Sequence, residues 1–522
     1  MNGRRALPVA AALSVLALAG TAGSAPSWRA PVRLSPSDRS LGPELALNAA
    51  GDATVVWDHE QGADCPTSPA SLSCIHITEA VSRARGSGAW TAPVEVGRPG
   101  IGAAPRVALD PNGAAALVWV HDIGQDRVLQ ATIRPAGAAS WPNANDLSGT
   151  PLQITNHAVA LDAAGNAVAV WSQRDSATFY VVGDLRPAAG GVWRAPVALS
   201  GIGAQVSAGP ALALVPSGEA LVAWIDSGSV RLARGNAATG VWDQPVGPVN
   251  GGVNTDTDVA VALNPAGDAV VAWSWRRSVG GPNVVQASFR PAGGGWGQAV
   301  DLGSAAAAHS NVQVAISDAG AVALVWRDGS ILRGAGRSRS TGAWTAPRTI
   351  ATNVAASGPR LAMNAAGNAV TAWANSATGA IRAALRPAGS AWQPPVRVSA
   401  PSSFEPRVAL DAASRALAVW NRTSPQGILV ESADLAPSGP VLTDLRIPAA
   451  AGVGATASFS VTPRAWAAPL SGAAVWRFGD GKSATGARVT HVYGSAGTFT
   501  VSLSQRDASG ATSTATGKVS VR

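Results

Sequence analysis

VALDAAGNAVAVW, from Val159 to Trp171, is one of eight copies of a 13-residue segment that recurs without insertion or deletion. The other copies are LALNAAGDATVVW (Leu45 to Trp57), VALDPNGAAALVW (Val107 to Trp119), LALVPSGEALVAW (Leu212 to Trp224), VALNPAGDAVVAW (Val261 to Trp273), VAISDAGAVALVW (Val314 to Trp326), LAMNAAGNAVTAW (Leu361 to Trp373) and VALDAASRALAVW (Val408 to Trp420). Each is a β-hairpin by its chemistry. A short apolar strand runs into a turn, which in most copies opens on Asn or Asp, and a glycine three places later supplies a positive φ before a second apolar strand. Only the eighth copy departs at the glycine place, with Ser414. Both strands are apolar at nearly every position, which predicts sheets covered on both faces.

Two further strand types flank each hairpin, one like IRAALRPAG (Ile381 to Gly389) and one like WTAPVEV (Trp90 to Val96), giving four strands per unit. Successive hairpin tryptophans lie 47 to 62 residues apart. The chain carries an outer strand, WRAPVRL from Trp28, before any hairpin, and the eighth unit stops after ILVESADL (Ile428 to Leu435) without one. Pairing the two removes an exposed sheet edge, so the N-terminal strand is expected to complete the eighth unit. This pattern resembles the β-propeller superfamily, and the repeat is similar to the inner hairpin of NHL-type and related bacterial propellers. The resemblance implies an all-β, eight-bladed β-propeller over residues 26–438; it implies no particular function.

After PSGP (Pro437 to Pro440) the period is lost. WRFGDG (Trp476 to Gly481) followed by HVYGSAGTFTVSLSQRDASG (His491 to Gly510) resembles the PKD domain, which implies an immunoglobulin-like β-sandwich over residues 439–522 serving as a spacer or an adhesive module. Arg477 stands where that family usually has Asp. Trp476, Phe478, Tyr493 and Phe499 are expected in one core, with Asp480 capping a turn.

Arg4 and Arg5, the apolar run from Ala6 to Ala19 and the small residues ending at Ala25 read as a secretory signal peptide over residues 1–25. The expected location is therefore secreted, extracellular or at the cell surface, with no membrane insertion. Cys65 and Cys74, nine positions apart in a chain read as exported, are expected to form a disulfide. Of the formal charge of +8, Arg4 and Arg5 supply +2 and residues 440–522 supply +5, so the repeat region is nearly neutral. It lacks the basic excess that binding a nucleic-acid backbone demands.

No catalytic constellation stands out. Tyr180 is the one tyrosine of the repeat region, and the six histidines, His59, His76, His121, His157, His309 and His491, include no pair at ligand spacing on one element. Most of them read as loop or surface residues. No metal and no cofactor is expected, because one turn oxygen per hairpin caps the turn, whereas calcium takes six or more oxygens. The hairpin tryptophans read as core between units rather than as sugar platforms.

Function is then expected where the units differ, in the loops after the hairpin tryptophan and before the first strand, which the propeller resemblance places on one face. The candidates are Asp58, His59 and Glu60, His121 and Asp122, Gln173, Arg174 and Asp175, Trp275, Arg276 and Arg277, Arg327 and Asp328, and Asn421 with Arg422. Trp275 reads either as a stacking group beside two arginines or as cover for a neighbouring loop. Together these features predict a monomeric, non-enzymatic binding or adhesion protein for an extracellular glycan, cell-wall polymer or protein. An extracellular carbohydrate-active enzyme, a glycoside hydrolase or lyase with a site in the funnel, is the alternative.

Overall fold

A computed structural model describes residues 27–36, 39–61, 75–100, 104–123, 126–149, 153–174, 178–201, 204–244, 258–276, 283–305, 309–435 and 439–522. The expected signal peptide, Cys65 and Cys74, Asp175 and Arg277 lie outside these residues. The chain divides into two compact domains, one over residues 28–436 and one that includes residues 437–522. No helix occurs among the described residues.

The first domain is an eight-bladed β-propeller of four-stranded antiparallel sheets. Blade 1 consists of Ser40–Leu47, Ala53–Gln61, Ile75–Arg83 and Val94–Gly100 in sequential order, and blades 2 to 7 repeat this scheme. Blade 8 takes Ser403–Leu410, Ala416–Ser424 and Gly427–Asp434 from its own repeat and Val32–Arg33 from the N-terminus. Val32 pairs with Ser432 and Arg33 with Glu431, and the Leu34 N–H donates to the Val430 carbonyl at 2.8 Å. Ser403–Leu410 of blade 8 in turn lies against Ser40–Leu47 of blade 1.

The hairpin turns form as their residue types require. Asn48 Oδ1 accepts the N–H groups of Gly51 and Asp52, each at 2.9 Å, and Asp162 Oδ1 accepts those of Ala164 and Asn166 at 2.9 and 2.8 Å. The three asparagines that open their turns also reach the next blade: Asn48 Nδ2 donates to the Asp110 carbonyl at 3.0 Å, and Asn264 and Asn364 make the matching contacts to Ser317 and Asp411. Ser414 adopts the left-handed conformation that glycine holds elsewhere, at φ 59°. Its hydroxyl offsets that strain by accepting Asn364 Nδ2 at 3.0 Å and Asn368 Nδ2 at 2.9 Å.

All eight hairpin tryptophans are at most 2% exposed. Seven of them pack in clusters with the preceding blade: Trp224 lies with Val168 and Val170 of blade 3, Trp171 with Val118 and Leu129 of blade 2, and Trp57 with Val419 and Val430 of blade 8, and Trp119, Trp273, Trp326 and Trp373 do likewise. Leu34 of the N-terminal strand joins the last of these clusters. A side chain that repeats in phase therefore fills the same gap around the circle, including the gap between the first and last blades.

The C-terminal domain packs a three-stranded sheet (Val441–Arg446, Thr456–Arg464, Arg488–Val492) and a five-stranded sheet (Ala450–Ala451, Thr512–Val521, Gly497–Asp507, Leu470–Arg477, Ser483–Thr485). Trp476, Phe478 and Tyr493 are buried in one core with Phe459, and Phe499 stacks on Tyr493 at its margin, with ring centroids 4.6 Å apart. Asp480 caps its turn by accepting the Lys482 N–H at 3.1 Å, and its second oxygen meets His491 Nε2 at 2.7 Å.

Two sequence-based expectations need correction. The stretches after the hairpin tryptophans are not loops there: Ala53–Gln61 carries Asp58, His59 and Glu60, Ala115–Ile123 carries His121 and Asp122, and Val322–Asp328 carries Arg327 and Asp328. Both neighbouring strands continue past the tryptophan and keep the ladder paired. The histidines are likewise strand residues, and His121, His157 and His491 are buried.

Candidate functional site

Because side chains alternate along a strand, Trp57 and His59 leave Ala53–Gln61 on one face while Asp58 and Glu60 leave it on the other. Trp57 Nε1 donates to Glu79 Oε2 at 2.7 Å, and His59 Nδ1 meets the other Glu79 oxygen at 3.2 Å, so that face is tied into the sheet. Asp58 and Glu60 instead line a cavity of about 910 Å³ between blades 8, 1 and 2. Blade 8 contributes Phe404, Glu405 and Arg407, blade 2 contributes Ala104 and Arg106, and Arg39 comes from just before the first strand of blade 1.

Ion pairs order these walls. Arg39 pairs with Glu60, and His76 Nδ1 lies 2.7 Å from Asp58 Oδ2. Burial pushes the Asp58 carboxyl up despite that hydrogen bond, while the same bond raises His76. Below them Glu44 accepts Arg407 Nη2 at 2.7 Å and Arg106 Nη1 at 3.0 Å. Burial alone would raise the Glu44 carboxyl, but the two guanidiniums hold it below the usual carboxylate range. His157 Nε2 donates to the carbonyl of Ala104 at the cavity lip, at 2.7 Å, and burial lowers its imidazole to about 4.

Carboxylates, guanidiniums and an imidazole held by mutual contacts can hydrogen-bond a polyhydroxylated ligand. Asp58, with its raised carboxyl, can also hold or release a proton. Among the described residues no group of three or more His, Cys, Asp or Glu side chains is arranged to hold a metal ion.

Of the sequence-based candidates among the described residues, only Asp58 and its neighbour Glu60 line this cavity. His121 is buried, and Asp122 pairs with Arg127 at 3.1 Å. Arg174 lies over the Phe179 ring, 5.5 Å from its centroid. Trp275 packs against the apolar cluster between blades 4 and 5, which favours its reading as cover, and Arg276 donates to Asn283 at 2.9 Å. Arg327 donates to the Gly329 carbonyl, and Asp328 meets Arg333 at 3.3 Å. The residues that sequence reasoning missed, Arg39, Glu44, Arg106, Phe404, Glu405 and Arg407, lie in or just before the first strand of a repeat. A signal for some of them was present in the recurring Pro-Glu and Pro-Arg pairs ahead of the hairpins: Pro43-Glu44, Pro105-Arg106, Pro359-Arg360 and Pro406-Arg407.

The PKD domain family model matches residues 438–521. No curated protein sequence matches the chain. Among solved structures, a fungal alcohol oxidase of the AA5 family in complex with copper is 12% identical, covering 96% of this chain and 100% of its own, with a TM-score of 0.42. An ulvan lyase, described as a new polysaccharide lyase family, is 9% identical over 77% of this chain and 95% of its own at a TM-score of 0.46. A Hadza microbial sialidase is 13% identical over 70% of this chain and 74% of its own at 0.36.

Proposed function

We propose that the protein is an extracellular binding protein whose propeller recognises a glycan in the cavity between blades 8, 1 and 2, with the PKD domain as spacer or accessory module. The observation that carries this reading is the convergence of Asp58, Glu60, Glu405, Arg39, Arg106, Arg407 and Phe404 on one cavity. Sugar hydroxyls both donate and accept, and paired carboxylates and guanidiniums offer both partners. Their mutual ion pairs order the side chains before the ligand arrives, which lowers the cost of binding. Phe404 adds an apolar surface for the faces of a sugar ring.

A second reading, glycoside hydrolysis or elimination, draws support from Asp58. Its carboxyl is pushed up by burial, and it shares the cavity with the ion-paired Glu60, the combination that acid and base roles require.

The test is an array of extracellular polysaccharides and oligosaccharides probed with the full chain and with Asp58→Asn and Glu60→Gln, with release of reducing ends and unsaturated products followed in parallel. Binding weakened about tenfold or more in both variants, without product release, supports the binding role. Product formation abolished by Asp58→Asn transfers the assignment to the enzyme reading. A wild-type chain that retains no glycan overturns both.

A further inference from the structure

We propose that the inner wall of the propeller beneath this cavity is an anion site formed by Arg106, Arg360 and Arg407, and that the ligand of the cavity is a saccharide bearing a carboxylate or sulfate group. The inference rests on the cavity being a saccharide site and specifies what kind of saccharide it takes.

It comes from the register of the repeat. The residue just before the first apolar residue of each hairpin is Glu44, Arg106, Ala158, Ala211, Ala260, Gln313, Arg360 and Arg407 in blades 1 to 8. Glu44 pairs with Val56, Arg106 with Val118, Arg360 with Ala372 and Arg407 with Val419, in each case the residue before the hairpin tryptophan. These four side chains therefore leave their blades at one level. Blades 7, 8, 1 and 2 are consecutive around the propeller and present Arg, Arg, Glu and Arg, while the other four blades present Ala or Gln. The cations are gathered on one arc.

The three arginines share one brace. Each donates through Nη1 to the carbonyl of the proline before it, at 3.0 Å for Arg106, 3.2 Å for Arg360 and 3.1 Å for Arg407. Arg106 and Arg407 then share the single Glu44 carboxylate. Among the described residues Arg360 has no carboxylate within ion-pair distance; burial first, and then the neighbouring Arg407, lower it to about 10. Glu44 and then Glu405 act on Arg360 through space, and Glu405 also acts on Arg407. Three guanidiniums thus face two carboxylates, with planar N–H donors left over at a solvent-reached wall, since the side chains of Arg106 and Arg407 retain 37% and 17% exposure. Surplus, geometrically fixed guanidinium donors match the oxygens of a carboxylate or a sulfate ester.

The experiment is isothermal titration of the full chain with sodium sulfate, sodium glucuronate and glucose, repeated for Arg360→Ala, Arg360→Lys and Glu44→Gln after confirming that each variant is folded. The expected result is binding of sulfate and glucuronate but not glucose. Affinity should fall about tenfold in Arg360→Ala, fall less in Arg360→Lys, which keeps the charge, and rise in Glu44→Gln, which removes a competing carboxylate. Sulfate binding that depends on Arg360 with no response to glucuronate keeps the anion site and removes the saccharide assignment. Sugars bound alike by wild type and Arg360→Ala keep the cavity as a saccharide site and overturn the anion site, as does a wild-type chain that binds no anion.

Discussion

The carboxylate of Glu44 in blade 1 lies 2.7 Å from Arg407 Nη2 of blade 8, so an ion pair spans the junction where the first and last blades meet. The same carboxylate also holds Arg106 of blade 2 at 3.0 Å, which makes one acidic side chain the tie between three consecutive blades.

Glu44→Ala is therefore expected to leave two partly buried guanidiniums without their counter-ion and to cost about 2 to 4 kcal/mol, less than a fully buried pair because solvent reaches this wall. Denaturant unfolding of Glu44→Ala, Arg407→Ala and the double variant measures it. Losses in the two single variants that simply add in the double variant would show that the pair is not coupled.

Leu34 fixes the strand that the N-terminus lends to blade 8. It is 7% exposed and packs with Trp57, Val419 and Val430. Leu34→Ala is expected to cost about 2 to 4 kcal/mol by leaving a cavity in the cluster between the first and last blades. Thermal unfolding checks this, with Val32→Ala, at a 52% exposed position, as the near-neutral control.

His157 predicts acid sensitivity. Its folded pKa, about 4, lies below the ordinary histidine value of 6.5, so the stability that the neutral imidazole contributes is present above 6.5 and is lost as pH falls towards 4. Denaturant unfolding at pH 7 and pH 4.5 should show a loss that is reduced by about 1 to 3 kcal/mol in His157→Gln. Equal losses in both proteins would place the acid sensitivity elsewhere.

Asp184 acts in the opposite direction. It is 1% exposed, and burial pushes its carboxyl to about 7 against two backbone hydrogen bonds. The protonated form is favoured in the fold, so its contribution is full below the ordinary value of 3.8 and is lost as pH rises through 7. Asp184→Asn should raise stability at pH 8 by up to about 4 kcal/mol relative to its effect at pH 4. A variant equally destabilised at both values would contradict the assignment.

The propeller was legible because one chain carries eight versions of the same packing problem: a tryptophan in phase, a glycine in the turn, and an outer strand missing at one end and present at the other. The PKD core was legible from Trp476, Phe478 and Tyr493 for a similar reason, since alternation on a strand assigns the inward face. The cavity was harder to read. Periodicity gives each residue its phase within a blade but does not say which blade ends converge, so Trp275, an indole outside the repeat phase, drew more weight than Asp58 or Arg327. Strand alternation separates Asp58 and Glu60 from His59, and Trp275 is absorbed into the cluster between blades 4 and 5. The arginines escaped notice because each, taken alone, is an ordinary charged residue in the first strand of its repeat; only the shared register across blades 7, 8 and 2 makes them a group.

The central claim is that ligand binds where blades 8, 1 and 2 meet. Hydrogen–deuterium exchange of the full chain, with and without the oligosaccharide retained most strongly on the array, tests it most directly. Protection is expected in residues 39–44, 104–106, 404–407 and 423–428, the backbone around the cavity. Protection confined to the ends of blades 5 and 6 around Trp275 and Arg327, or to residues 439–522, would contradict it.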